Sequence, residues 1–399
     1  MKAKSLLLFF LTITFVHAMS IEELINVTNK KNHTIQGLQK AILSTQENII
    51  LARKWQNPVL SFGVNDISLN DASKRDSEAM QAQFIGITQV IPMGNKLEYK
   101  EEIALKEQQI LNFILEDKKL EFQSKIFELY YSIAVLEKKH IVFGTYLNNI
   151  KKLEKLNLAL YEENQALQTE VLSTTILYSK IELQQLKLQN IIQNLYAKLE
   201  EITQEKINQV HIDTSYLLKE LNMDFTQHPK LQAQEGLFNK ALVQAQLEKE
   251  NKIPDITLNV AYFQRDKKYE DYLNFSVAIP LALYGTENSK VIQAKSKSYE
   301  ERSRLKELEK EFTSEVKQID NDFKTAKKIL TILEKDILPT QQKLQESMAM
   351  YNSLNKAKPQ EVVTALNEYL NYELLVLDEQ LIYFQTLAKA HYFNKGKMQ

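Results

Sequence analysis

The sequence predicts an α+β protein, mostly α, in which long coiled-coil helical hairpins carry two pairs of β-strands. Three observations predict it. Apolar residues recur at heptad spacing over tens of residues, four short segments alternate apolar with polar residues, and the whole arrangement occurs twice along the chain.

Composition sets the frame. Of 399 residues, 44% are apolar and 25% charged, which fits neither a disordered chain nor a bundle of membrane helices. Only 8 glycines and 7 prolines punctuate it, so its elements should be long. A formal charge of −1, with both signs interspersed, leaves no electrostatic footprint for nucleic acid. The absence of cysteine excludes disulfides, zinc–thiolate sites, thiol catalysis and a lipid-modified N-terminal cysteine.

Residues 1–18 read as a signal peptide. Lys2 and Lys4 form a positive start, Leu6 to Val16 an apolar run, and Val16-His17-Ala18 a cleavage site, placing the mature start at Met19. No later segment reaches the ~18 consecutive apolar residues of a helical span. Membrane insertion of an exported chain of this kind would therefore be by strands.

The repeat divides the rest into halves, 19–210 and 211–399. Matching landmarks are His33 and His228, Pro58 and Pro254, Pro92 and Pro280, Tyr161 and Tyr351, with offsets from 188 to 196 residues. Each half opens with an amphipathic helix ending at Asn57-Pro58 or Ile253-Pro254. Two strands follow, at about 58–66 and 82–92, then about 255–265 and 272–283. Leu60, Phe62 and Val64 alternate with Ser61, Gly63 and Asn65, and Ile256, Leu258, Val260 and Tyr262 alternate with Thr257, Asn259 and Ala261. At about ten residues each, these suit tilted strands through a bilayer, with the apolar set on lipid and the polar set on the lumen. Four strands cannot close a membrane barrel, so oligomerisation must remove the open edges.

After the strands come the long helices, expected at about 94–160 and 166–203, then about 287–350 and 361–393. The positions 115, 119, 122, 126, 129, 133, 136, 140, 143, 147 and 150 form a seam whose only polar members are Lys119 and His140. Leu370, Leu374, Leu377, Leu381, Phe384 and Ala388 form its counterpart. Residues 94–160 as one helix would span roughly 100 Å. Pro339 should kink or break the matching helix.

No catalytic motif, glycine-rich phosphate loop or clustered metal ligand set is present, so neither an enzyme nor a cofactor is expected. The six histidines are scattered. Trp55 and Tyr262, Tyr269, Tyr272 and Tyr284 suit either interfacial girdles or packing.

Four places then carry a family likeness: the helix start His228-Pro229-Lys230-Leu231; the strand entries Asn57-Pro58-Val59-Leu60 and Ile253-Pro254-Asp255-Ile256; the strand-to-helix junctions Gln89 to Lys96 and Val277 to Leu281; and the hairpin tips Tyr161 to Leu172 and Tyr351 to Val363. In this order and spacing the chain resembles the TolC family of outer-membrane efflux proteins. The resemblance implies a TolC-like fold: a homotrimer whose protomers each give four strands to a 12-stranded outer-membrane β-barrel, with helices forming an α-barrel across the periplasm. It also implies a passive exit duct for metal ions, drugs or other small molecules, working with a periplasmic adaptor (membrane fusion) protein and an inner-membrane efflux pump. The adaptor-contact tips would be Tyr161, Asn164 and Leu172, and Tyr351, Leu354 and Val363. Glu170 and Glu361 would line the periplasmic aperture, and Pro58, Pro92, Pro254 and Pro280 would mark the strand–helix junctions. The tip glycine of the family is replaced by Asn164 and Leu354, and asparagine alone of these two tolerates a left-handed backbone. An exported trimeric coiled-coil structural or adhesin-like protein is the alternative. It accounts for the heptads but not for the strand pairs ending in Ile-Pro.

Overall fold

The computed structural model describes residues 19–68, 74–210, 220–221, 223–353 and 359–393. The expected signal peptide and Leu354 lie outside them. The described elements run α1 (Ile21–Lys31), α2 (His33–Ala52), β1 (Val59–Asn65), β2 (Ala82–Ile91), α3 (Lys96–Glu162) and α4 (Gln168–Thr203). They continue α5 (Pro229–Glu250), β3 (Ile256–Gln264), β4 (Tyr272–Ala278), α6 (Thr286–Ile332), a π turn (Leu333–Ile337), α7 (Leu338–Ser353) and α8 (Pro359–Phe393). This is the mostly helical α+β architecture that the sequence predicts. Residues cluster into two compact units, one of 1–36, 118–226 and 312–399, the other of 37–117 and 227–311. Each unit takes segments from both halves of the repeat.

Helix starts follow local capping chemistry. Ser20 and Glu23 form a reciprocal capping box at α1, with bonds of 2.9 and 3.3 Å. Asn32 ends α1 and caps α2, its Oδ1 accepting the Thr34 and Ile35 N–H groups at 2.9 and 3.3 Å. In the second half His228 does the same work for α5. Its Nδ1 accepts the Lys230 N–H at 3.2 Å, and Pro229 takes the first helical position, where no N–H is needed.

The predicted seam is the core of the first unit. Ile126, Leu129, Ile133, Leu136, Phe143, Leu147 and Ile150 of α3 are all buried there, while Phe122 is half-buried; Leu115, also buried, belongs to the other unit. Leu136 to Ile150 pack with Ile181, Leu188 and Ile192 of α4 and with Leu366 and Leu370 of α8. A different side of α3 presents Val135 to Phe323 and Leu330 of α6 and to Leu377, Tyr383 and Phe384 of α8. Tyr131 stacks on Phe384 with ring centroids 4.2 Å apart. Burial on more than one side explains why apolar residues crowd this stretch beyond a two-helix seam.

The break expected at Pro339 is a π turn just ahead of it. Proline lacks the N–H for an i→i−4 bond and its ring crowds the carbonyl four residues back. Widening the turn relieves that crowding, and the Leu338 N–H bonds to the Leu333 carbonyl, five residues back. The strand expected over 272–283 ends at Ala278, because Pro280 cannot donate to a ladder. No helix among the described residues is long and apolar enough to cross a membrane.

Candidate functional site

The four strands form one antiparallel sheet in the order β1-β2-β3-β4, so the two halves meet along β2 and β3. The register sorts the side chains cleanly. One face carries Leu60 and Phe62 of β1, Ile85 and Ile87 of β2, Val260 and Tyr262 of β3, and Leu273 and Phe275 of β4. All eight are exposed, Phe62 to 81%. The other face carries Ser61, Gly86, Thr88, Asn259, Ala261, Asn274 and Ser276, together with Phe84, Phe263 and Tyr272. The Asn259 amide donates to Thr88 Oγ1 at 2.7 Å on that side. The sheet's buried members, Ala82, Gly86, Ala261 and Phe263, all lie on this more polar face.

All four prolines stand where a strand meets its connection. Pro58 and Pro254 lie just ahead of β1 and β3, and Pro92 and Pro280 just beyond β2 and β4. Two of these junctions lock together. Lys96, at the start of α3, is buried and its Nζ donates to Asp255 Oδ1 at 2.6 Å and to the Ile253 carbonyl. The Met93 N–H also reaches Asp255 Oδ1, at 3.1 Å, and the Asn95 N–H reaches Glu250 Oε2 at 3.3 Å. Gly94 makes the turn at φ +70°, and a Cβ there would meet the Glu250 carboxylate at 2.7 Å. Burial pushes the Asp255 carboxyl up, but the bonds from Lys96 and the Met93 N–H outweigh it and hold it below the usual carboxylate range.

At the first hairpin tip α3 closes through Asn164 at φ +60°, with the Gln165 N–H on the Leu160 carbonyl at 2.7 Å. Asparagine thus adopts the left-handed conformation of a helix stop. The Glu170 carboxylate turns back to accept the Leu167 N–H at 2.9 Å. Leu167 offers no side-chain acceptor, so Glu170 supplies one half of a capping box alone. Tyr161, Leu167 and Leu172 are exposed around it. At the second tip Tyr351 is exposed, Glu361 is an exposed residue in the first turn of α8, and Val363 lies in that helix.

Two further hydrogen-bonded pairs set the first tip. Asn157 is buried and its amide donates to Thr174 Oγ1 at 2.9 Å, while Thr174 donates to the Glu170 carbonyl at 2.8 Å. Thr175 donates to Glu154 Oε1 at 2.6 Å. Glu154 and Asn157 are the next two steps of the seam that ends at Ile150. Extending the heptad would have marked them as polar seam positions that fix helix register.

No family model matches the sequence, and no curated protein matches it significantly. Solved structures do match. The outer membrane protein VceC from Vibrio cholerae superposes with a TM-score of 0.77 at 14% identity, over 94% of this chain and 96% of that one. The open-state Neisseria gonorrhoeae MtrE outer membrane channel gives 0.79 at 13% identity, over 94% and 89%. The Campylobacter jejuni CmeC outer membrane channel gives 0.77 at 12% identity, over 94% and 86%. The chain has the fold of these outer-membrane channels, in agreement with the TolC-like fold that the sequence motifs imply.

Proposed function

We propose that this chain is the outer-membrane channel subunit of a tripartite efflux system. It is exported, inserts its strands in the outer membrane and extends its helices into the periplasm. It conducts cargo passively for an inner-membrane pump joined to it by a periplasmic adaptor. The observation that carries this reading is the sheet: four strands with an exposed and mainly apolar face, a more polar face opposite, and partnerless outer edges at β1 and β4 among the described residues. An exposed apolar face of this extent marks contact with lipid or protein, and open edges demand partners in a bilayer. Three copies, each laying β4 against β1 of the next, would close a twelve-stranded ring. The helices support assembly too. Leu172, Ile176, Leu183 and Leu186 form an exposed apolar stripe on α4 at coiled-coil spacing.

The test is reconstitution. Protein extracted from outer membranes is expected to run as a trimer, to begin at Met19 by intact mass, and to form ion-conducting channels in planar bilayers. A soluble protein that starts at Met1 and yields no channels would sink the reading.

Glu170 and Glu361 are assigned to the periplasmic aperture, with Tyr161, Asn164, Leu172, Tyr351, Leu354 and Val363 as the adaptor-facing tips. Threefold symmetry would make each glutamate a ring of three carboxylates. Two such charges about 7 Å apart repel by roughly 2 kcal/mol at an effective dielectric of 20, so entering cations are favoured. Glutamine at 170 keeps an oxygen for the Leu167 N–H while removing the charge. The double change Glu170→Gln with Glu361→Gln is therefore expected to lower cation preference without unfolding the tip. Reversal potentials under a salt gradient measure this, and an unchanged value would place the selective ring elsewhere.

A further inference from the structure

Resting on that channel reading, we propose that Phe84, Phe263 and Tyr272 form an aromatic collar inside the outer mouth of the barrel. The collar takes planar organic cations in transit on its ring faces.

The three residues occupy one rung of the ladder, with Gly63 as the fourth member on β1. Phe84 and Phe263 stack with ring centroids 5.3 Å apart, and Phe263 and Tyr272 stack at 4.8 Å with their planes nearly parallel, 3° apart. Gly63 leaves room for the outermost ring, since a Cβ there would meet Phe84 at 2.7 Å. The rung belongs to the more polar face, which would be the luminal face of a closed barrel. It also lies at the end of the sheet away from the four prolines and the helices. In a trimer the rung would bring nine rings around one level of the lumen. No aromatic residue stands at any other described rung of that face, whose remaining members are small, polar or aliphatic.

A planar cation already sits on this row. The Arg265 guanidinium lies 5.3 Å from the Tyr272 ring centroid and 5.6 Å from that of Tyr269. It is held in place by the Glu270 carbonyl at 2.6 Å and the Ala79 carbonyl at 3.3 Å. Lys268 and Asp76, 3.0 Å apart, tie the same two loops together above the rung. The row therefore has ring faces held in fixed register, partly exposed at Phe84 and Tyr272, and chemistry that accepts a delocalised cation. Cargo with a flat aromatic or guanidinium-like surface gains contacts here that a hydrated metal ion does not.

Ethidium block of single channels tests the collar. Wild-type channels are expected to show transient block by ethidium added from the loop side. Tyr272→Leu keeps bulk but removes the aromatic face, and is expected to weaken block by about tenfold, the scale of one lost aromatic contact to a cation. Phe84→Ala is expected to raise open-channel conductance as well. Leu273→Ala, on the lipid face, should change neither. Wild-type channels that conduct but are not blocked, or block and conductance unmoved by Tyr272→Leu and Phe84→Ala, would overturn the collar while leaving the channel intact. Absence of any wild-type channel would instead overturn the channel reading on which the collar stands.

Discussion

Lysine at Val260 is expected to abolish trimer assembly in the outer membrane, while lysine one residue earlier, at Asn259, leaves most of it. The two positions share a strand and differ only in face. Val260 lies between Ile87 and Phe275 on the apolar face, and Asn259 lies between Thr88 and Ser276 on the polar one. An ammonium group on the lipid side near the bilayer midplane costs roughly 2–4 kcal/mol, and every copy in a trimer bears that cost. At Asn259 the lysine would end in an aqueous lumen. It forfeits the 2.7 Å bond to Thr88, a loss of about 1 kcal/mol. Outside a bilayer the order would not hold, because Val260 is exposed and lysine at an exposed site usually costs within about 0.5 kcal/mol. The yield of heat-labile trimer from outer membranes measures the difference. Equal yields would mean that the apolar face meets something other than lipid.

That contrast uses the part of the fold most legible in the sequence. Alternation along a strand is a local signal, so the two faces of β1 and β3 could be assigned without knowing what they pair with. Heptad spacing is local too, and Ile126, Leu129, Ile133, Leu136, Phe143, Leu147 and Ile150 are buried as the seam requires. Asn164 was readable as a left-handed helix stop from residue chemistry alone. What was not legible depends on distant pairing. The ladder between β2 and β3 joins residues on either side of the long α3–α4 hairpin, and alternation does not say which strand pairs with which. The rung of Phe84, Phe263 and Tyr272 exists only once that register is set, so Tyr272 alone read as an interfacial girdle or packing residue. Asn157 and Thr174 carry no apolar signal: Asn157 continues the seam past Ile150, its last apolar member, as a polar residue, and Thr174 is its partner on α4. The α1 capping box of Ser20 and Glu23 is a local signal, but it lies ahead of the repeat landmark at His33, from which the first helix of this half is expected to start.

The junction between the halves also depends on distant pairing, and it carries the second large effect. Lys96→Met is expected to destabilise the protein by about 2–3 kcal/mol, the scale of hydrogen bonds made by a charged group. Methionine fills the space of the buried stem. It leaves the Ile253 carbonyl without the Lys96 donor and Asp255 with only the Met93 N–H at 3.1 Å. The Asp255 side chain is 38% exposed, so water replaces part of what is lost and the figure stays below that for breaking a fully buried pair. The pH dependence separates this ion pair from mere packing. Asp255 is held below the usual carboxylate range, so its contribution is present above about pH 4, the ordinary aspartate value, and is lost as pH falls through the depressed value. Without Lys96 the burial that pushes this carboxyl up is no longer outweighed, and Asp255 protonates more readily in the variant. The stability gap between wild type and Lys96→Met should therefore be widest near neutrality and shrink in acid. Denaturant unfolding of detergent-solubilised protein at a series of pH values measures it. A gap that stays constant down to pH 3 would assign the loss to the packing of the lysine stem instead of to its charge.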